Sequence, residues 1–259
     1  MPMTNAEIEQ TLKKLRFSGV LATLEARAMQ ATQGEMSFMD TFSALLQDEL
    51  DSRRSKLLER RYAVSGLRER TTMSGFDWSF NPKLPRGQIL ELMTCKFITE
   101  KESAVFIGSP GTGKSHVAKA VAIAAITQEM RVYYREAHVL FEELLEAKTM
   151  GTKKKLMNII AESDLLIIDD LGLAKLTPEN GEDILEIVMN RYERKSIMIT
   201  SNRIVSDWDK MLCDATLASA VLDRVMHHCQ LLKFEGKSYR LKEAASRLNS
   251  GGDGKKDAA

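Results

Sequence analysis

The sequence has 259 residues, of which 44% are hydrophobic, 37 are lysine or arginine and 36 are aspartate or glutamate. A chain of this length and apolar content can bury the core of one large domain or two smaller ones. The near balance of charge excludes a protein that binds nucleic acid or membrane through its net charge, so any such binding must come from local patches.

The chain carries no sequence signal for a membrane or for export. No uninterrupted apolar run approaches the roughly 18 residues that a membrane span needs, and the N-terminus MPMTNAEIEQTLKKLR is not typical of a signal peptide. Cys95, Cys213 and Cys229 are far apart, odd in number and without metal-ligand spacing, which favours reduced, buried thiols. We therefore expect a cytoplasmic protein that does not bind membranes.

Residues 1–70 are predicted to form a small helical domain. Leucines recur at helical spacing from Leu12 to Leu24, which predicts one helix, and apolar residues do so from Phe38 to Leu50, which predicts a second. Ser37, followed by Asp40, indicates a capping box at the start of the second helix. Helices of this size bury little surface alone, so we expect this domain to associate with a second copy or with the next domain.

The second helix continues into the segment DSRRSKLLERR, residues 51–61, which is rich in cations. Arg53, Arg54 and Lys56 lie there with few acidic neighbours. Such a face is compatible with solvated surface, and equally with contact to nucleic-acid phosphates, because clustered cations release counterions from that backbone. Both interpretations stay open, and the three residues are candidate DNA contacts.

Residues 65–87 form a connecting stretch rich in glycine, proline and serine. Its aromatic residues are Phe76, Trp78 and Phe80. Aromatic side chains at alternating positions predict an extended segment docked on the following domain. We place the boundary near residue 70 and the second domain at 71–245. Residues 246–259, which end in SGGDGKKDAA, are predicted to be a disordered tail.

From about residue 86 the pattern alternates between helix and strand. This alternation predicts an α/β fold with a parallel sheet covered by helices on both faces. The first helix of this part is predicted over 86–101. The predicted strands are 104–107, 131–135, 164–172, 196–202 and 230–234.

The segment GSPGTGKS, residues 108–115, fits the phosphate-loop pattern G-x-x-x-x-G-K-[ST]. It lies between an apolar run, 104–107, and a helix-compatible run, 117–126, so a buried strand delivers the loop and a helix begins there with its positive dipole end. Lys114 is expected to reach the β- and γ-phosphates, and Ser115 to bind magnesium. The predicted nucleotide-binding residues are Gly108, Ser109, Pro110, Gly111, Thr112, Gly113, Lys114, Ser115 and His116.

Two carboxylates lie near the end of the predicted strand 164–172. A carboxylate at the end of a buried strand beside the phosphate loop can hold magnesium through its water shell, and we assign this role to Asp169. The adjacent Asp170 points differently and is the candidate general base for the attacking water. The alternative, strand-end acids that only cap a turn, is disfavoured by the phosphate loop about sixty residues earlier.

Two further polar residues are candidates for the same site. Asn202 ends a predicted strand and is a candidate sensor of the γ-phosphate or the attacking water, although a strand-end asparagine also forms turns. Arg224 lies on a helix predicted over 216–228; it is either a surface cation or an arginine finger that reaches the nucleotide of a neighbouring subunit. His227 and His228 have no acidic or cysteine partner at ligand spacing, which favours surface residues over metal ligands.

Several segments together resemble the AAA+ ATPases of the DnaC/IstB group, and more closely the IstB helpers of insertion-sequence transposition. They are GSPGTGKSH, LLIIDDLG, ITSN, LDRVMHH and FEGKSYRLKEA, and the N-terminal LRFSGVLATLEARA is similar as well. The resemblance implies sheet order 5-1-4-3-2, a phosphate loop around Lys114, and ATP and Mg²⁺ as cofactors. The roles it implies are metal binding for Asp169, catalysis for Asp170, the first sensor for Asn202 and the finger for Arg224.

The resemblance also implies a clamp-like helper whose ATP-bound subunits assemble as a homo-oligomer on duplex DNA and recruit a transposase to the target. It implies DNA contact by extra helical structure before Asp169, where Lys153, Lys154 and Lys155 lie; three lysines are otherwise ordinary solvated surface. Too few residues follow the last strand for the helical lid of many AAA+ proteins, which leaves Arg240 as a weak candidate for a second sensor.

Two other functions stay open on sequence alone. A helicase loader of the DnaC type would bind a replicative helicase and single-stranded DNA, with aromatic stacking on the bases; the basic N-terminal helix with few aromatics favours duplex DNA instead. A P-loop kinase or metabolic ATPase would leave the lysine and arginine clusters without a role. We therefore expect a DNA-dependent ATPase of transposition.

Overall fold

The computed structural model describes residues 3–34, 36–173, 176–212 and 214–250, with side chains as far as residue 246. The chain divides into two compact units, Met1–Arg60 and Arg61–Ala259. This division lies within the third helix, before the boundary predicted near residue 70. Residues 251–259 of the predicted tail, and Cys213, lie outside the described part of the chain.

The N-terminal unit is helical, as predicted, but its first helix is divided. Its helices are α1 (Asn5–Lys14), α2 (Ser18–Thr32) and most of α3 (Phe38–Ser65). The prediction of a single helix over Leu12–Leu24 is wrong because Arg16 has a left-handed backbone (φ 59°), which ends α1 before α2 begins. Leucine spacing alone does not reveal such a break.

The start of α2 is held by a side chain from α3. Glu49, which is 5% exposed, accepts the backbone N–H groups of Gly19 and Val20 at 2.6 and 3.3 Å. This contact replaces the side-chain cap that α2 lacks at its N-cap residue, Phe17. Beside it, Asp48 accepts two hydrogen bonds from Arg27, each of 2.9 Å. These bonds fix α2 against α3.

Ser37 caps α3 as predicted. Its hydroxyl accepts the N–H of Asp40 at 3.2 Å and donates to the Asp40 carboxylate at 2.6 Å. Apolar residues along the first half of α3 face solvent: Phe38, Phe42 and Leu50 are 79%, 49% and 62% exposed. Self-association of this region stays a prediction, and this exposed apolar face is compatible with it.

The second unit is built on a five-stranded parallel sheet in the order β2-β3-β4-β1-β5. The order that the family resemblance implies is therefore confirmed. The strands are β1 (Ser103–Gly108), β2 (Val132–Glu136), β3 (Leu165–Leu171), β4 (Ser196–Ser201) and β5 (Cys229–Phe234). The strands β1, β3 and β4 are apolar runs buried along most of their length, which is typical of a parallel sheet between layers of helices.

Helices lie before, between and after these strands. They are α4 (Arg86–Leu92), α5 (Lys96–Thr99), α6 (Lys114–Thr127), α7 (Ala137–Thr149), α8 (Lys153–Glu162), α9 (Pro178–Arg191), α10 (Trp208–Met211), α11 (Ala215–His227) and α12 (Tyr239–Ser250). The helix predicted over 86–101 is broken at Cys95, where a left-handed backbone (φ 60°) separates α4 from α5. Helix α12 was not predicted and includes residues 246–250 of the predicted tail. Among the described helices, none is long and apolar enough to cross a membrane.

The strands that carry the sequence motifs are neighbours in the sheet. Strand β4 lies between β1 and β3. Because parallel strands all end at the same edge, the loop after β1, the acids near the end of β3 and the residue after β4 meet there. The topology thus assembles three motifs that are far apart in the sequence.

Candidate nucleotide site

A cavity of about 620 Å³ lies beside the phosphate loop. This volume is within the usual range of ligand pockets. Residues 110–116 of the loop line it together with Asp170, Asn202 and Arg240. The structure therefore brings most of the predicted nucleotide-binding loop together with the predicted general base and the predicted sensor.

Two glycines allow the loop to take its shape. Gly113, directly before α6, has a φ of 105°, and Gly111 has a φ of 77°, both in the left-handed region that favours glycine. A Cβ atom on Gly111 would also lie only 2.1 Å from the hydroxyl oxygen of Ser238. Because α6 begins at Lys114, its unpaired N–H groups and its positive dipole end are available to an anion bound by the loop.

Lys114 is a buried cation, with 4% of its surface exposed. Its ammonium group donates to the carbonyl oxygens of Gly108 and Ser109 at 2.8 and 3.0 Å. Burial lowers the pKa of Lys114 below its usual value, and the charges of Asp170 and Asp169 oppose that shift. A desolvated ammonium held mainly by carbonyl dipoles favours a bound anion, and a phosphate group fits this requirement.

The pairing of β3 with β4 is irregular where the two acids lie. The register shifts between Ile168 and Leu171, so two residues of β3, Asp169 and Asp170, lie opposite one residue of β4, Thr200. A bulge of this kind turns a side chain out of the regular alternation of a strand. Asp170 has a left-handed backbone (φ 57°) and lines the cavity, whereas Asp169 is 2% exposed and does not.

Both oxygens of Asp169 accept hydrogen bonds from buried hydroxyl groups on the adjacent strands. The Tyr134 hydroxyl on β2 donates to Oδ2 at 2.6 Å, and the Thr200 hydroxyl on β4 donates to Oδ1. Thr200 Oγ1 also accepts the backbone N–H of Asp170 at 2.9 Å. Burial and the charge of Asp169 raise the pKa of Tyr134 far above its usual value, so its hydroxyl remains a donor.

Sequence reasoning missed Tyr134 and Thr200. The signals were a hydroxyl residue two positions before Asn202 in ITSN and a tyrosine within the strand segment RVYYR. Neither signal is specific without the pairing of β2, β3 and β4, which brings both hydroxyl groups to the Asp169 carboxylate.

The environment of Asp170 suits a proton acceptor. Burial and the neighbouring Asp169 raise the pKa of Asp170, whereas the positive charges of Lys114 and Arg240 lower it. A carboxylate with a raised pKa accepts a proton more readily than an exposed one. Arg240, the candidate second sensor, lines the same cavity, and its positive charge lowers the pKa of Asp170.

Asn202 presents a polar atom that lacks a partner. Its side chain lines the cavity, and its Oδ1 is buried without a hydrogen bond within the described residues. Leaving a buried acceptor unpaired costs about 1–3 kcal/mol. A bound water or ligand group in the cavity would supply the missing bond, which fits the predicted sensor position.

The aromatic linker is docked on the second unit, as predicted. Phe80 meets Tyr239 of α12 edge to face, with ring centroids 5.3 Å apart. Asn81 exchanges two hydrogen bonds with the backbone of Lys237, of 3.0 and 2.9 Å. Phe76 and Phe80 both line the cavity. The linker and α12 thus form walls of the cavity, a role that the sequence analysis did not foresee for α12.

Arg224 lies away from this cavity. It is on α11, donates to the carbonyl oxygen of Ala220 at 2.8 Å, and borders a small crevice with Ser103 and Ile197. These two residues lie at the amino ends of β1 and β4, whereas the phosphate loop follows the carboxyl end of β1. Arg224 is therefore not positioned to contact a nucleotide in the cavity of its own chain.

His227 and His228 are exposed, as expected, and an acidic residue distant in the sequence lies beside them. Glu193, which follows α9 with a left-handed backbone (φ 56°), brings a carboxylate oxygen within 4.8 Å of a ring nitrogen of each histidine. The Tyr192 hydroxyl also lies 2.9 Å from Nδ1 of His227. The ends of α9 and α11 meet here, and sequence spacing cannot show that contact.

The three lysines at the start of α8 differ in their surroundings. Lys153 pairs with Asp183 and Glu186 of α9 at 2.7 and 2.8 Å, so its charge is largely compensated. Lys154 and Lys155 are exposed, and within the described residues they form no ion pair. We expected all three lysines to form a compact positive tip, but only Lys154 and Lys155 have a charge that is not compensated by an ion pair within the described residues.

Two predicted DNA contacts on α3 are engaged within the N-terminal unit. Arg53 pairs with Glu49 at 2.7 Å, and Lys56 donates a hydrogen bond to the Ser18 hydroxyl at 2.5 Å. Arg54 lies between them and is exposed. DNA contact by these residues stays a prediction.

The oxygen donors at the cavity suit magnesium bound to a nucleotide. The Ser115 hydroxyl lies at the first turn of α6 and lines the cavity with Asp170. Carboxylate and hydroxyl oxygens are ligands that Mg²⁺ accepts, usually while it retains several water molecules. The burial of Asp169 is compatible with contact through such a water. The donor set therefore fits a magnesium–triphosphate pair, with Lys114 supplying positive charge.

Comparison with known protein families shows which family the chain belongs to. The family model described as IstB-like ATP binding protein matches residues 10–247, nearly the whole chain. The chain belongs to this family. As a member of the IstB-like ATP binding proteins, it binds ATP, in agreement with the phosphate loop.

Relatives from insertion sequences agree with this assignment. The IstB-like chain is 33% identical over 236 residues to a protein named as an ATP-binding protein of insertion sequence IS5376 in Geobacillus stearothermophilus, covering 91% of this chain and 94% of that protein. It is 31% identical over 237 residues to its counterpart in IS21 of Pseudomonas aeruginosa, covering 92% and 89%. The resemblance to IstB proteins stated from the motifs is confirmed.

Solved structures share the fold of the IstB-like chain. The crystal structure of the DnaC helicase loader has a TM-score of 0.52 at 22% identity, covering 64% of this chain and 97% of that one. The replication initiator DnaA, bound to AMPPCP and single-stranded DNA, has a TM-score of 0.56 at 21% identity, covering 71% and 56%. At this identity the likeness is one of fold, and that fold is the AAA+ P-loop fold.

Proposed function

We propose that this IstB-like protein is an ATPase that assembles on duplex DNA as a homo-oligomer and helps a transposase to use its target site. The observation that carries the proposal is the position of Arg224 at the sheet edge opposite the nucleotide cavity. A chain with the site at one edge and the finger at the other completes its sites only when copies associate head to tail. Hydrolysis of the nucleotide then depends on assembly of the subunits.

In this proposal five residues in or beside the cavity have defined parts. Lys114 and the first N–H groups of α6 bind the phosphates, and Ser115 with Asp169, the latter through water, would hold magnesium. Magnesium, when bound, neutralises charge on the phosphate oxygens. Asp170 takes a proton from the water that attacks the γ-phosphorus, while the bond to the β-phosphate oxygen breaks to give ADP and phosphate. Asn202 orients that water.

The second contribution to hydrolysis comes from the neighbouring copy. Its Arg224 guanidinium stabilises the charge that spreads over the transferring phosphoryl group. Removing Arg224 therefore affects the site of another subunit and not the site of its own chain.

For DNA, the exposed pair Lys154 and Lys155 favours contact with backbone phosphates. Lysine ammonium groups that contact the DNA backbone recognise its charge and not the base edges, so we expect the protein to show little preference for DNA sequence. The transposase as partner is supported by the relatives, whose names place them in insertion sequences.

The test is a mixing experiment with two inactive variants. Asp170→Asn binds ATP but lacks the general base, and Arg224→Ala lacks the finger. In an equal mixture, about one interface in four joins an intact Asp170 to an intact Arg224, so about a quarter of the wild-type ATPase rate should return on duplex DNA. Assembly is followed in parallel by electron microscopy. Full assembly without any recovery of ATPase activity would show that Arg224 does not act across subunits.

A capture experiment separates transposition from helicase loading. The tagged protein, with ATP and duplex DNA, is incubated with the transposase of the same element and, separately, with the host replicative helicase. We expect the transposase to be retained in a manner that depends on ATP. Retention of the helicase alone would favour the DnaC-type loader instead.

A further inference from the structure

We propose that the hydroxyl groups of Tyr134 and Thr200 form a clamp on Asp169 that sets the affinity of the nucleotide site for Mg²⁺. The proposal rests on the proposed function, in which Asp169 holds the metal through water. It assigns Tyr134 and Thr200 as positioning residues, because they act through Asp169 and do not line the cavity.

The geometry supports a clamp rather than incidental contact. Tyr134 and Thr200 are 5% and 0% exposed, and they approach Asp169 from the strands on either side of it. Each hydroxyl donates to a different oxygen of the carboxylate. Two donors on opposite sides fix the rotation of the carboxylate plane, which one donor would leave free.

The clamp leaves the Asp169 carboxylate able to accept hydrogen bonds from water bound to a metal ion. Each carboxylate oxygen has two lone pairs, and each hydroxyl uses one of them. One acceptor position on each oxygen therefore remains for water in the shell of a metal ion. Fixing the carboxylate in advance means that less conformational freedom is lost when the ion binds, and such support commonly changes metal affinity 10–100-fold.

Thr200 has a second contact that Tyr134 lacks. Its hydroxyl accepts the backbone N–H of Asp170, the bulged residue that lines the cavity. Loss of the Tyr134 hydroxyl should therefore affect metal affinity alone. Loss of the Thr200 hydroxyl should affect metal affinity and also the placement of the general base.

The test measures Mg²⁺ affinity by titrating the metal into protein with a fluorescent ATP analogue, so the readout is binding and not turnover. For Tyr134→Phe we expect the Mg²⁺ concentration at half-saturation to rise about 10–100-fold. Nucleotide affinity without metal, and kcat at saturating Mg²⁺, should stay near wild type. A half-saturation point equal to that of the wild type overturns the clamp.

The chain offers a matched control on the same strand. Tyr133 is also 5% exposed, and its hydroxyl donates to Glu143 at 2.6 Å, not to the acids of β3. Tyr133→Phe removes the same atom from the same strand, and should leave Mg²⁺ affinity unchanged. An equal loss in both variants would mean a general effect on β2 and would also overturn the proposal.

Substitutions of Thr200 test the second contact. Thr200→Val should weaken Mg²⁺ binding and also lower kcat at saturating metal, whereas Thr200→Ser, which keeps the hydroxyl, should restore both. If Thr200→Val leaves Mg²⁺ affinity unchanged, Thr200 is not part of the clamp.

A further variant separates failure of the clamp from failure of the proposed function. If Asp169→Asn leaves Mg²⁺ affinity unchanged, the metal role of Asp169 itself is wrong, and the clamp is wrong with it. If Asp169→Asn weakens Mg²⁺ binding and Tyr134→Phe does not, only the clamp is wrong.

Discussion

Lys114 is the residue whose environment most directly requires a ligand. An ammonium group with 4% exposure loses most of its hydration, and two carbonyl oxygens replace only part of it. Phosphate oxygens carry the full counter-charge that the carbonyl dipoles lack. Part of the free energy of ATP binding should therefore come from compensating this one buried charge.

Replacement of Lys114 should accordingly abolish tight nucleotide binding. For Lys114→Ala we expect the Kd for ATP to rise about 30-fold or more, because truncating one partner of a buried charged hydrogen bond costs about 2–5 kcal/mol. Titration calorimetry measures the change. Lys148→Ala, an exposed lysine on α7, is the control and should bind ATP normally. Unimpaired affinity in Lys114→Ala would refute the phosphate-loop assignment.

Two cysteines should be unreactive in the folded protein. Burial raises the pKa of Cys95 to about 11 and that of Cys229 to about 12. A raised pKa reduces the thiolate fraction at a given pH, so at pH 8 only about one Cys95 side chain in a thousand is the reactive thiolate. Labelling should be slow at pH 8, and should accelerate as pH rises toward these pKa values while the fold persists.

The measurement uses a Cys213→Ser variant, so that only Cys95 and Cys229 remain. Their reaction with a thiol reagent is followed at pH 8 in native buffer and in denaturant. Both thiols should react rapidly only in denaturant. Rapid labelling of the buried Cys95 or of the half-buried Cys229 in the native protein contradicts this prediction.

Helix α8 shows how one element redistributes charge. Its first three residues, Lys153, Lys154 and Lys155, are cations at the positive end of the helix dipole, where each is unfavourable by about 0.3–1 kcal/mol. Asp183 and Glu186 of α9 compensate Lys153. Lys154 and Lys155 have no such ion pair in the described part of the chain. Bound phosphates would compensate them, which is an additional reason to place DNA there.

The difference among these lysines can be measured by the salt dependence of DNA binding. Replacing Lys154 and Lys155 together by alanine should weaken duplex binding uniformly across sequences and reduce the slope of log K against log salt by about 1.8, or about 0.9 for each phosphate contact. Lys153→Ala is the matched control and should leave the slope nearly unchanged. A slope unaffected by the double substitution removes α8 from the DNA interface.

At the scale of the whole molecule, all residues that line the nucleotide cavity lie between 69 and 243. They belong to the second of the two compact units, Arg61–Ala259. Nucleotide binding and any function of the N-terminal helices should therefore be separable.

A fragment of residues 61–259 should bind ATP with the affinity of the full chain. We expect it to lose assembly on DNA, since the self-association predicted for residues 1–70 is then absent. Fluorescence titration with an ATP analogue and sedimentation with duplex DNA measure the two properties. The same fragment with Lys114→Ala is the control for specific binding. Failure of a folded fragment to bind ATP would contradict the separation.

The sequence determined those features that depend on local pattern. Buried parallel strands are short apolar runs, the phosphate loop needs glycines directly before a helix, and a cap needs a hydroxyl residue at a helix start. For this reason the five strands, Lys114, Ser115 and the Ser37 cap could be located without coordinates. Their order in the sheet came from the resemblance to a known family, because strand periodicity does not encode which strands are neighbours.

Tertiary structure alone decided everything that depends on contacts between distant residues. The clamp of Tyr134 and Thr200 on Asp169, the charge compensation of Lys153 and the carboxylate of Glu193 beside two histidines each join elements separated in the chain. The breaks at Arg16 and Cys95 likewise depend on where the flanking helices pack. Hydrogen bonds and ion pairs act over a few ångströms of space, and residues far apart in the sequence meet at that distance only once the fold has formed.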